Sequence, residues 1–104
     1  MRGMQAIERV VQYDDIDTVL DIGSWNGTHA RYLQGHGKKV STVDFNVNAD
    51  YTGNYLDLDL PKFDCIWCSH TLEHQPNVGQ FLTKCYNDLA DNGLFAVTVP
   101  SMEK

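Results

Sequence analysis

The chain has 104 residues, with 14 Asp and Glu against 8 Lys and Arg, and a formal net charge of −6. One domain fits that length, since domains run to roughly 100–200 residues, and the acidic balance argues against a nucleic-acid partner held by phosphate contacts. No apolar run approaches the ~20 residues that span a bilayer and no signal core opens the chain, so no membrane partner is expected and the location predicted is cytoplasmic.

Met4, Ile7, Val10 and Val11 form one apolar stripe with Glu8 and Arg9 outside it, which predicts a helix over residues 3–13. Asp14 and Asp15 end it. Residues 18–22 read as a short buried strand, residues 23–27 as a tight turn, and Thr28 as the N-cap of a helix carrying Ala30 and Leu33. Gly35 and Gly37 can end that helix. Residues 39–44 make a second strand, 51–56 a weaker third and 64–69 a fourth. Pro76 marks a helix start, with Val78, Phe81, Leu82, Cys85 and Leu89 at helical spacing and Gly93 as its stop. Residues 94–99 are a fifth strand, closed by Pro100.

Strands alternating with helical stretches predict an α/β fold, a Rossmann-like doubly wound parallel sheet of about five strands. The connections between strands two, three and four are too short for full helices. One face of the sheet should therefore be thinly covered.

The three cysteines are Cys65, Cys68 and Cys85. Cys65 and Cys68 have the spacing of a redox or zinc motif, but on a strand their side chains point to opposite faces. The packed-strand reading is preferred. The acidic residues Asp57, Asp59 and Asp64 read as a solvated loop, and Trp25 and Trp67 as packing residues.

Ligands of open α/β sheets bind at the carboxyl ends of the strands. There Gly23 permits a sharp turn, Gly27 lets a helix begin close to the strand, and Asp44 ends strand two, where a carboxylate can accept both hydroxyls of a ribose. Turn, helix, strand and terminal Asp in this order point to a nucleoside site.

The chain resembles the class I S-adenosylmethionine-dependent methyltransferases. The matching residues are VLDIGSWNG (19–27), VSTVDF (40–45), FDCIWCSHTLEH (63–74) and LADNGLFAVTVP (89–100). The resemblance implies the strand order 3-2-1-4-5 and S-adenosylmethionine as cofactor. Asp21, Gly23, Ser24, Gly27 and their backbone would hold its methionine portion. Asp44 would take the ribose, Phe45 would flank the adenine, and residues 55–58, with Asp57, would close the adenine pocket. Cys68, Ser69 and His70 would line the floor facing the acceptor. His70 and His74 are the candidate bases, and the implied activity is methyl transfer to a small-molecule acceptor. Two departures stand out. The family's middle glycine is Trp25 here, and the sequence ends four residues after Pro100, where the family's sheet continues into a helix and a hairpin. A truncated chain of this kind leaves residues 94–99 as an apolar edge, which predicts a homo-oligomer.

Three rival readings are weighed against this one. A non-catalytic remnant of the same fold could serve as a cofactor-binding or protein-interaction module. A dinucleotide oxidoreductase fits worse, because the turn lacks the second and third glycines of Gly-x-Gly-x-x-Gly. His70-Thr-Leu-Glu-His74 also spells a zinc-protease pattern, but that chemistry needs a continuous helix, and Pro76 disfavours helix at Gln75.

Overall fold

The computed structural model describes residues 4–24, 27–45, 48–69 and 71–98. Its elements are helix α1 (Met4–Gln12), strand β1 (Thr18–Ile22), helix α2 (Thr28–Gly35), strands β2 (Lys39–Asp44) and β3 (Tyr51–Thr52), strand β4 (Phe63–Ser69), helix α3 (Val78–Asp88) and strand β5 (Leu89–Thr98). Single 3-10 turns occupy Tyr55–Asp57 and Leu72–His74. The strands form one sheet in the order β3-β2-β1-β4-β5, with every neighbouring pair parallel. The parallel α/β architecture is the one the sequence pattern predicts, and the order is the one the family resemblance implies.

β1 lies at the centre, and Val19, Leu20, Asp21 and Ile22 are all buried because both of its faces are covered. Alternation then divides the core. Val19, Cys65 and Trp67 pack with Ile7 and Val10 of α1 and Leu33 of α2. Leu20, Ile22, Ile66 and Cys68 pack with Phe81 and Cys85 of α3. Each fully buried aliphatic or aromatic side chain contributes roughly 1.5–3 kcal/mol relative to exposure. Among the described residues the α3 face has no second helix; Leu56, Leu58, Leu60 and Leu72 from the connections cover it instead. Cys65 and Cys68 thus sit on opposite faces, as strand geometry requires.

Five local expectations change. The third strand, expected over residues 51–56, is only Tyr51–Thr52, because the chain turns into the 3-10 turn at Tyr55–Asp57. The N-cap of α2 is Gly27, at φ +79°, and Thr28 is the first helical residue. A β-branched residue would be strained in that left-handed conformation. At α3 the cap is Asn77, whose side chain accepts from Gln80 N at 3.0 Å; Pro76 lies one residue outside it. The helix ends at Asp88 and not at Gly93. Residues 90–93 instead bulge from β5, for Leu89 pairs with Phe63 and Leu94 already pairs with Cys65. Asn92 turns the bulge at φ +63°, and a β-carbon on Gly93 would lie 2.8 Å from Ala90 O. Finally, Asp64 is no loop residue. It lies within β4 at this irregularity and accepts the backbone N–H groups of Asp17 and Thr18 at 3.0 and 3.1 Å. The predicted positions of Trp25, Val99 and Pro100 fall outside the described residues.

Candidate functional site

The carboxyl ends of β1 and β2 meet because Gly23 N and Ser24 N both donate to Val43 O, at 2.8 and 3.3 Å. Gly23 makes the turn at φ +74°. A β-carbon there would overlap Thr71 Oγ1, which sits over the glycine and bridges Ile22 O and Ser69 O at 3.3 Å each. Only a glycine leaves room for that hydroxyl. At the end of β2, Asp44 Oδ1 accepts Phe45 N at 2.6 Å and Asp44 O accepts Gly53 N at 2.9 Å, which fixes the end of β3 beside it.

A cleft opens between these ends. Gly23, Asp44 and Phe45 line it together with Ile22, Val43 and Tyr55. Asn54, Thr71, Gln75 and Phe81 complete the wall. Phe45 is 74% exposed, so its ring stands at the mouth. Asp21 lies one residue before the cleft and is 1% exposed. Its Oδ2 has no hydrogen-bond partner among the described residues. Burial, and then the neighbouring Asp44 charge, push its carboxyl up to about 7.

The other predicted site residues lie around this cleft and do not line it. Ser24 is buried, and its carbonyl accepts Gly27 N at 2.8 Å. Ser69 ends β4, half-buried. Asp57 closes a 3-10 turn and is exposed. His74 is exposed at the end of the Leu72–His74 turn, which is a single 3-10 turn and not a continuous helix. His70 lies outside the described residues. Conversely, Asn54, Thr71, Gln75 and Phe81 belong to the cleft without having been singled out for it. Asn54 follows a glycine at a turn, the one local signal available. Thr71 and Gln75 carry none, since only the parallel pairing of β4 beside β1 brings the residues after β4 there.

A larger hollow of about 630 Å³ lies at the amino ends of β4 and β5, among Lys62, Tyr86, Asn87 and the 89–93 bulge. Lys62 Nζ is engaged there by Asn87 O at 2.8 Å. Its position at the wrong end of the strands makes it a poor ligand site for this fold.

A family model described as a methyltransferase domain matches residues 4–103. The chain belongs to that family. Its fold is that of the class I S-adenosylmethionine-dependent methyltransferases. A ubiquinone biosynthesis O-methyltransferase of Glaesserella parasuis is 27% identical over 103 residues, covering 77% of this chain and 44% of the relative. A putative methyltransferase from Bacillus halodurans superimposes with a TM-score of 0.76 at 18% identity, over 90% of this chain and 49% of that one. An N-methyltransferase from Bradyrhizobium japonicum, solved with S-adenosyl-L-homocysteine, gives a TM-score of 0.63 at 17% identity, over 88% of this chain and 70% of that one. The methyltransferase domain described here thus spans less than half the length of the first two.

The residues present fit the cofactor of this class in kind. Asp44 offers a carboxylate for a diol, Phe45, Tyr55 and Phe81 offer aromatic walls for a base, and Asp21 brings an unpartnered buried oxygen to the adjoining turn. The room is smaller than the chemistry. The cleft holds about 70 Å³, against roughly 300–1,000 Å³ for ligand pockets. On one wall Thr71 Oγ1 is hydrogen-bonded to Ile22 O, and Gln75 Nε2 donates to Thr71 O, each at 3.3 Å.

Among the described residues no helix is long and apolar enough to cross a membrane.

Proposed function

We propose that this methyltransferase domain binds S-adenosylmethionine in the cleft and takes part in methyl transfer to a small-molecule acceptor in the cytoplasm. The observation that carries the reading is that Gly23, Asp44 and Phe45, from two strand ends, share one cleft at the carboxyl edge of a methyltransferase-family sheet. In this reading Asp44 accepts the ribose hydroxyls, and Phe45, Tyr55 and Phe81 flank the adenine. Asp21, Ser24 and Gly27 support the methionine end, Ser69 faces the acceptor, and Asp57 braces the outside of the adenine wall. When bound, S-adenosylmethionine supplies a methyl group activated by its sulfonium. The chain's share of the work is to orient the acceptor and exclude water, a positioning task. His74, with His70, is the proposed base for an acceptor that loses a proton.

A small-molecule acceptor is supported by the relatives, which include a ubiquinone-pathway O-methyltransferase and a sugar N-methyltransferase from Streptoalloteichus. Calorimetric titration with S-adenosylhomocysteine tests the cofactor reading. Binding is expected for the wild type, weakened at least about tenfold by Asp44→Ala, which removes a charge-assisted acceptor. Absence of both heat and thermal shift at millimolar ligand overturns it.

A second reading draws on β5, which forms one edge of the sheet and carries Val97 at 38% exposure. Among the described residues no further strand pairs with β5, and an apolar edge of that kind favours a homo-oligomer, with the domain serving as an interaction module. A monomeric mass by light scattering across a wide concentration range contradicts that reading.

A further inference from the structure

Asp88 is an odd residue for its place. It is the last residue of α3, where the helix dipole disfavours an anion, and it is only 7% exposed. Its Oδ2 accepts the Tyr55 hydroxyl at 2.6 Å and the Lys84 ammonium at 2.9 Å. Lys84 Nζ also stands 4.6 Å from the centre of the Tyr55 ring. A buried ionic group of this sort is a poor stabilising device, because apolar side chains of similar volume often do as well or better. What a satisfied polar network does provide is one fixed geometry.

The geometry it fixes is a wall of the cleft. Tyr55 is 4% exposed, lines the cleft, and packs edge-on against Phe81 with ring centres 5.5 Å apart. The backbone around it has little regular structure to hold it. β3 has two residues, and from there to β4 the chain makes only one 3-10 turn. Asn54 caps that turn locally through Leu56 N at 3.1 Å. The Tyr55–Asp88 bond, in contrast, joins residues 33 apart in sequence and ties the connection to α3.

We propose that Asp88 is a positioning residue for ligand binding: through the Tyr55 hydroxyl it holds the aromatic wall of the cleft in place. This rests on the cofactor reading above for its ligand, and not for the tie itself. Neither Asp88 nor Lys84 touches the cleft, so both act through Tyr55.

The test separates the tie from stability and from the cofactor. Asp88→Leu and Tyr55→Phe each remove the bond while keeping apolar volume, and Asp88→Asn keeps an acceptor for the hydroxyl. Calorimetry with S-adenosylhomocysteine is expected to give about tenfold weaker binding for D88L and Y55F, and within about threefold of wild type for D88N. Thermal midpoints should not follow that ranking: D88L, which leaves both the Tyr55 hydroxyl and the Lys84 ammonium without their acceptor, should melt lowest, and Y55F, which leaves Lys84 its carboxylate, should melt above it. Amide hydrogen exchange of residues 53–58 in the ligand-free protein is expected to rise about fivefold or more in D88L and Y55F and to recover in D88N. Should D88L fail to fold, Y55F carries the comparison. Unchanged exchange and unchanged binding in Y55F overturn the positioning role. Raised exchange with no binding by the wild type upholds the tie and overturns the cofactor reading.

Discussion

Thr18 and Asp64 exchange hydrogen bonds across the sheet: the Asp64 carboxylate accepts Thr18 N at 3.1 Å, and Thr18 Oγ1 accepts Asp64 N at 2.9 Å. The same carboxylate takes Asp17 N at 3.0 Å, so it serves the start of β1 as an N-cap serves a helix. The backbone bonds from Thr18 and Asp17 hold the Asp64 carboxyl below the usual range. A depressed carboxyl contributes stability above its unfolded value near pH 4 and loses it as pH falls through the lower folded value. Asp64→Ala is expected to cost about 1 kcal/mol at neutral pH. Urea unfolding should show that cost shrinking in acid.

Asp21 works in the opposite direction. Burial first, and the Asp44 charge second, raise its carboxyl from 3.8 to about 7. The folded chain holds the proton in a pH range where the unfolded chain releases it. Its contribution to stability is therefore greatest below about pH 4, falls between there and about 7, and is level above. Asp21→Asn removes this titration. Relative to wild type, the variant should gain stability steadily from pH 4 to 7, and parallel unfolding curves across that window would contradict the assignment.

How far the sequence carried this fold depends on the kind of signal. The two-faced core was legible because residues 18–22 and 64–69 read as buried strands, with helices joining strand one to two and four to five; the strand order came with the family resemblance. The end of α3 was not. Leu89 continues the helical apolar spacing, yet it pairs with Phe63, and the four residues after it loop out opposite Asp64 alone. That is a property of the partner strand. The candidate site divides in the same way. Gly23 and Asp44 announce themselves by position after their strands. Thr71 and Gln75 reach the cleft only because β4 pairs beside β1, and Asp57, reasonable by proximity, is turned outward by the 3-10 turn that buries Tyr55.

Gly23 and Thr71 form a steric pair whose terms can be separated. Gly23→Ala places a β-carbon at φ +74° and in overlap with Thr71 Oγ1. The left-handed conformation alone costs ~1–2 kcal/mol, and the overlap adds ~1–3 kcal/mol. Thr71→Ala removes the overlap with Oγ1 and leaves a close contact with the Thr71 β-carbon at 3.3 Å, which a shift of a few tenths of an ångström relieves. The double variant should then recover the overlap cost and retain the conformational one. A double-mutant cycle by chemical unfolding with a coupling below about 0.5 kcal/mol would show that Thr71 is not where the structure puts it.

The three thiols provide a last check on the sheet. Cys65, Cys68 and Cys85 are all buried. Burial pushes the Cys65 thiol up to about 12 and the Cys85 thiol up to about 11. A thiol at 12 carries about a thousandfold less thiolate at pH 8 than a free cysteine near 8.5. Iodoacetamide at that pH should leave the native protein unmodified and label all three residues in denaturant. Oxidation should not join Cys65 to Cys68, because β4 sends one side chain toward α1 and α2 and the other toward α3. A native Cys65–Cys68 disulfide by peptide mapping would require β4 to be twisted out of its register with β1, and would overturn the fold at its centre.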